Sequence, residues 1–154
     1  AIAVKQLGKK TLILDIDGHH GNGTQEIFLG DEKIVYVSIH QSPNYPGTGA
    51  LTEGNCINFA LPVDCGEQKY LETLDKALGM VDSGRLEVVA VSAGFDTQLG
   101  DLASLGLTQK SYWQIGRRIA LLKKPAFFVL EGGYIGEKNG ANIDQLLRGY
   151  EENK

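Results

Sequence analysis

The chain has 154 residues, of which 42% are hydrophobic and 22% charged, and carries a net charge of −4. That is one domain's worth of chain with enough apolar material for a core, and its mild acidity gives no electrostatic reason for direct nucleic-acid binding. The two cysteines, Cys56 and Cys65, are too few for a disulfide framework, and no apolar run reaches the roughly 18–20 residues that span a bilayer.

In chain order, Ala1–Leu7 reads as part of a helix, with no Met before it and no secretory pattern. The reading is a single-domain fragment over 1–154, the C-terminal part of a longer cytoplasmic protein with reduced cysteines. Thr11–Ile16, Lys33–Ile39, Glu87–Ser92 and Ala126–Leu130 are short β-branched runs without polar alternation, as expected for strands covered on both faces. Between them, Gln68–Val81 carries an apolar stripe of Tyr70, Leu71, Leu74, Ala77, Leu78 and Val81, ended by Ser83-Gly84. Leu107–Lys123 opens with Thr108 as N-cap and buries Tyr112, Ile115, Ile119 and Leu122. Asn142–Tyr150 reads as the closing helix. Strands alternating with helices predict an α/β fold, a three-layer sandwich around a mainly parallel sheet.

Glycine and proline gather just after the predicted strands, where open α/β sheets place their ligands. The first such segment is Asp15-Ile16-Asp17-Gly18-His19-His20-Gly21-Asn22-Gly23. Carboxylates at a buried strand end are costly unless paired or bound to a cation. Asp17 and His19, two apart in extended chain, point to one side and can share a metal. One carboxylate and one imidazole suit a transition ion better than calcium. An isolated histidine would read as a core residue, and Asp15 and Asp17 as caps; the whole cluster reads as a site. A phosphate-binding glycine loop fits poorly, because two aspartates would repel the phosphates.

Ser92-Ala93-Gly94-Phe95-Asp96 ends another strand, so Asp96 offers a third ligand, and three protein ligands with an open position mark a catalytic metal. In Leu130-Glu131-Gly132-Gly133-Tyr134 the glycines allow close backbone approach, and the Tyr134 hydroxyl can donate to a developing oxyanion. Tyr45, on the Pro/Gly-rich loop His40–Gly49, can wall a channel.

Taken in order, D-x-D-x-H-H-G-N-G-T-Q from Asp15, S-x-H-Q from Ser38, P-G-T-G from Pro46, S-A-G-F-D ending at Asp96 and E-G-G-Y ending at Tyr134 resemble the histone deacetylase family. The resemblance runs from Thr11 to the closing helix and implies the arginase/deacetylase-like fold, incomplete in this chain. It implies zinc held by Asp17, His19 and Asp96, and Tyr134 as the catalytic tyrosine that polarises the amide carbonyl. Tyr45, Gly132 and Gly133 would line the acyl channel. Asp15 and Ser38, with backbone carbonyls of Asp17, His19 and Ile39, would hold a structural potassium ion, and His20 would be a buried structural histidine. The family's adjacent catalytic histidines would lie upstream of Ala1, with Asp15 and Asn22 orienting them. Asn at position 22 resembles the class II and prokaryotic branch. The family's usual Asp-Pro after the third ligand is Asp101-Leu102 here, which alters the expected substrate entrance.

The activity so implied is zinc-dependent hydrolysis of acetyl-amide bonds, on acetylated protein lysines or small acetylated amines, with the fragment alone inactive or nearly so. Two other readings stand beside it. One is a catalytically inactive module that binds acyl ligands, or a sensor. The other is a binuclear manganese ureohydrolase of the arginase type, whose extra aspartate ligands have no counterparts in Asp17-Gly18-His19-His20-Gly21 or in Ser92–Asp96. The sequence does not define the physiological substrate or the oligomeric state.

Overall fold

Every residue of Thr11–Asp15 is buried, and this run, β1, is the central strand of the sheet. The computed structural model describes residues 1–154. In order the elements are α1 (Ile2–Leu7), β1, α2 (Asn22–Phe28), β2 (Ile34–Gln41), β3 (Cys56–Leu61), α3 (Glu67–Gly79), β4 (Val88–Ala93), α4 (Gln109–Ala120), β5 (Ala126–Leu130) and α5 (Gly136–Glu151), with one 3₁₀ turn at Ser83–Arg85. The strands form one sheet in the order β3-β2-β1-β4-β5, every pair parallel.

Side chains alternate across this sheet and so feed two cores. Leu12 and Leu14 of β1, with Ile16 just beyond it, join Val37, Ile39, Val89 and Val91 against Tyr70, Leu74, Tyr112, Ile115 and Leu146 from α3, α4 and α5. Ile13, from the opposite face, joins Ile34, Tyr36 and Ala90 against Val4 of α1 and Phe28 of α2. The result is the predicted three-layer α/β sandwich, thick on one side and thin on the other. No helix is long and apolar enough to cross a membrane.

Three element predictions need correction. The sheet has five strands rather than four: β3 pairs with β2 from Tyr36↔Cys56 to Gln41↔Leu61, although Asn58 interrupts its apolar pattern. The short helix α2 buries only Gln25 and Phe28 and contains Gly23, so it presents no apolar stripe. The closing helix starts at Gly136 rather than Asn142. Its first turns, Gly136-Glu137-Lys138-Asn139-Gly140, are polar and glycine-rich, so tertiary contacts must hold them.

The chain runs outward from β1 through β2 to β3, then crosses back to β4 and on to β5. The direction of winding therefore reverses between β1 and β4. Loops leaving the carboxyl ends of two such strands splay apart and leave a crevice. The segments after β1, β4 and β5 all meet there.

Candidate metal centre

Asp17, His19 and Asp96 come together at this crevice, with one ligand atom from each within 4.8 Å of the others. Backbone amides aim the two carboxylates. Asp17 Oδ1 accepts from the His19 N–H at 2.8 Å, and Asp17 Oδ2 accepts from the Gly132 N–H at 2.9 Å. Asp96 Oδ1 accepts from the Gly18 N–H at 2.8 Å. The segment after β5 thus holds the carboxylate that follows β1, and the segment after β1 holds the one that follows β4. The approach is close enough to require glycine: a Cβ on Gly132 would lie 2.6 Å from Asp17 Oδ2 and 2.8 Å from Asp96 Oδ2.

The trio is under-bonded. Asp96 is fully buried, and its Oδ2 has no hydrogen-bond partner. His19 Nδ1 stands only 2.7 Å from that oxygen, but its hydrogen bond goes to Asp17 Oδ1 at 3.2 Å. Burial, reinforced by the neighbouring Asp17 charge, pushes the Asp96 carboxyl above its usual range. Two carboxylates and an imidazole crowded this closely, with one buried oxygen unserved, are the surroundings a cation relieves.

A second polar cluster lies beside the first and differs from it in bonding. His20 is buried, with Nδ1 bonded to Thr48 Oγ1 at 2.8 Å and Nε2 to Gln25 Oε1 at 3.0 Å. Its ring lies 4.8 Å from that of His40. His40 is bonded through Nδ1 to Ser38 Oγ at 2.9 Å and through Nε2 to the Gly49 carbonyl at 3.1 Å. Gln25 is tied in turn to Asn58 and Glu53. Only Asn58 Oδ1 is left without a partner. Burial pushes the His40 imidazole down to about 4, so that ring serves as neutral packing.

Asp15 stands opposite Ser38 in the β1–β2 register. Its Oδ2 accepts from the Tyr36 hydroxyl at 2.8 Å and its Oδ1 from the Asp17 N–H at 3.2 Å. Burial pushes its carboxyl up to about 8. Ile39, next to Ser38 in β2, is fully buried. Asn22 opens α2 on the surface, its backbone N–H bonded to the His20 carbonyl.

A cleft of about 490 Å³ opens over the trio, lined by Asp15, Asp17, His19, Tyr45, Glu131, Gly132 and Tyr134 among others. Tyr45 is exposed on its loop, and its ring meets that of His19 edge-on at 6.5 Å between centroids. Tyr134 also lies on the open rim. Its phenol is held above its ordinary value by burial, then by the charges of Asp96, Asp17 and Asp101, and so keeps its proton. Gly133 faces Asn139 and Phe95 rather than the cleft, with φ 133°, a backbone region reserved for glycine.

Sequence reasoning missed Tyr36, which reads as one more core residue of β2, and Gln25, whose helix was not foreseen. It also missed the contact of Asp101, whose Oδ2 accepts from the N–H groups of Tyr134 and Ile135 at 2.9 and 3.0 Å.

Residues 1–150 match the histone deacetylase domain family. A probable deacetylase of Archaeoglobus fulgidus is 38% identical over 145 residues, covering 85% of this chain and 40% of that protein. Acetylpolyamine amidohydrolase 1 of Pseudomonas aeruginosa is 35% identical over 158 residues, covering 95% of this chain and 45% of that protein. The crystal structure of an acetylpolyamine aminohydrolase from Burkholderia pseudomallei superposes with a TM-score of 0.89 at 31% identity, over 97% of this chain and 48% of that one. The chain spans less than half the length of each of these relatives.

Proposed function

The chain belongs to the histone deacetylase domain family, and from that premise we propose that it is the metal-binding portion of an enzyme that hydrolyses acetyl-amide bonds. The observation that carries this reading is the under-bonded trio of Asp17, His19 and Asp96, with Tyr134 on the rim of the same cleft. Two carboxylates, one imidazole and an open side suit zinc, and these three residues would hold it. Bound there, zinc supplies Lewis acidity toward the amide carbonyl and acidifies water.

The chain's own groups do the rest. The Gly132 and Gly18 amides fix the ligand oxygens before any ion arrives, so little reorganisation is needed on binding. Tyr134, protonated, donates its hydroxyl hydrogen to the oxyanion that forms as the amide is attacked, a contribution of about 3 kcal/mol for one donor. Tyr45 offers an aromatic wall to the acyl chain. Asp15 and Ser38, facing each other across β1 and β2, with the Asp17, His19 and Ile39 carbonyls, would hold a potassium ion behind the zinc. Asn22 and Asp15 would orient general-base histidines outside these residues. The substrate class is acetylated lysine or a small acetylated amine, the latter in keeping with the acetylpolyamine amidohydrolases among the relatives.

All three histidines of the chain are committed: His19 to the trio, His20 and His40 to hydrogen bonds on both ring nitrogens. None is free to take a proton from water. The expectation is that the 154-residue chain binds one zinc ion, measured by competition with a chromogenic chelator, and turns over a fluorogenic acetyl-lysine substrate at or below detection. In the complete polypeptide that carries these residues, Tyr134→Phe should lower kcat by about 10²–10³-fold. Robust turnover by the 154 residues alone, or wild-type kcat in Tyr134→Phe, would overturn the reading.

A further inference from the structure

Tyr134 is 60% exposed, so side-chain packing does not fix its place; its backbone must. That backbone is a tight turn between β5 and α5, held at three points besides the bond from the Phe95 N–H to the Gly132 carbonyl at 2.8 Å. The Gly132 N–H is bonded to Asp17 Oδ2. The Gly133 carbonyl accepts from Asn139 Nδ2 at 2.8 Å. The third hold is the most concentrated: Asp101 Oδ2 accepts from two successive amides, Tyr134 N–H at 2.9 Å and Ile135 N–H at 3.0 Å. Two consecutive N–H groups converging on one carboxylate oxygen form a small anion-binding nest, and hydrogen bonds to a charged acceptor are the strong kind.

Asp101 is itself held. Its Oδ1 accepts from the Leu102 N–H at 2.7 Å, its N–H donates to the Gln98 carbonyl, and its carbonyl accepts from the Ser104 N–H. Gln98 Oε1 accepts from Asn142 of α5 at 3.0 Å. The loop that carries Asp101 is the one that begins at Asp96. Next along, Ala103 presses on the end of β1, where a Cβ on Gly18 would come within 2.5 Å of Ala103 Cβ. One short loop therefore sets both the third metal ligand and the backbone of Tyr134.

We propose that Asp101 is a positioning residue for Tyr134, holding the tyrosine turn at a fixed distance from the ligand trio through its bonds to the Tyr134 and Ile135 amides. The proposal rests on the reading of Tyr134 as the oxyanion donor. A carboxylate that only capped α5 would support the fold and nothing more. A positioning residue acts on rate through Tyr134 alone. Misplacement of a catalytic group by about 1 Å costs on the order of 100-fold in rate.

The test uses the complete polypeptide. In the wild type, the Tyr134 and Ile135 amides should exchange hydrogen slowly, a measurement that depends on no variant; exchange at the rate of open amides would overturn the proposal. Asp101→Ala should expose both amides, lower kcat on an acetyl-lysine substrate by about 10–100-fold and leave KM within about twofold. Asp101→Asn keeps an acceptor oxygen and should recover most of both. Combined with Tyr134→Phe, Asp101→Ala should lower kcat no further. An equal loss in both backgrounds, or retained kcat in Asp101→Ala while Tyr134→Phe is impaired, would reduce Asp101 to a cap. Wild-type kcat in Tyr134→Phe would instead remove the reading of Tyr134 on which the proposal rests.

Discussion

His19 and His20 are neighbours in the sequence and belong to opposite kinds of site. His20 sits in a closed network in which both ring nitrogens are bonded to side chains chosen for them, Thr48 and Gln25, and the adjoining His40 is equally satisfied. His19 sits among carboxylates that between them leave a buried oxygen without a partner. Both clusters stand near the carboxyl ends of β1 and β2, and both contain histidine. The difference is what each leaves over: the structural cluster satisfies both of its imidazoles and leaves only the neutral Asn58 Oδ1 without a partner, and the other cluster leaves an oxygen of a carboxylate.

The sharpest way to break that comparison is to exchange the two histidines' roles by mutation. His19→Ala or Asp96→Ala should weaken zinc binding by more than about 100-fold, since even changes outside the ligand shell cost about 10–100-fold. The metal-free stability of His19→Ala should move by less than about 1 kcal/mol. His20→Ala should do the reverse, costing about 2–4 kcal/mol in urea denaturation of the metal-free chain while zinc still binds. If His20→Ala abolished metal binding as fully as His19→Ala, the two clusters would be one.

Acid sharpens the comparison next. His40 titrates near 6.5 when unfolded and is pushed down to about 4 by burial, so the unfolded chain binds the extra proton between these values. Stability from this group is complete above pH 6.5 and is lost as pH falls toward 4, by about 2 kcal/mol at pH 5. Asp15, pushed up to about 8, works in the opposite sense. The measurement is therefore the pH dependence of metal-free wild type minus that of His40→Gln, and a flat difference between pH 7.5 and 5 would rule out a neutral, buried His40. The smallest effect should come from Asp96→Asn in the metal-free chain, which removes a buried charge with a donor on only one of its two oxygens and should stabilise by about 1 kcal/mol. Urea midpoints read this directly, and a loss of stability would mean that Asp96 Oδ2 is not orphaned.

Much of this was legible in the residues. Four strands announce themselves as β-branched runs, and Asp17, His19 and Asp96 stand where carboxylates and imidazoles are hard to explain otherwise. The fifth strand, β3, was not legible, because Asn58 reaches inward to Gln25 and breaks the apolar pattern. Tyr36 reads as core until the β1–β2 register brings its hydroxyl to Asp15, 21 residues away. Asp101 reads as a departure from a familiar dipeptide, since its partners at Tyr134 and Ile135 lie 33 and 34 residues on. What escaped was pairing between side chains and distant backbone, which depends on register and loop path rather than on local pattern.

The crossing from β3 back to β4 has a consequence in time. Asp17 and His19 belong to the first strand-turn, while Asp96 arrives on the fourth strand, 78 residues beyond the glycine amide it accepts from. A chain that has formed only β1, β2 and β3 owns two of the three proposed ligands. Contacts of such long sequence separation form late, because the intervening loop must be closed first. On the proposed function, capture of an ion would be conditional on β4 having docked beside β1, and an occupied centre would report that docking.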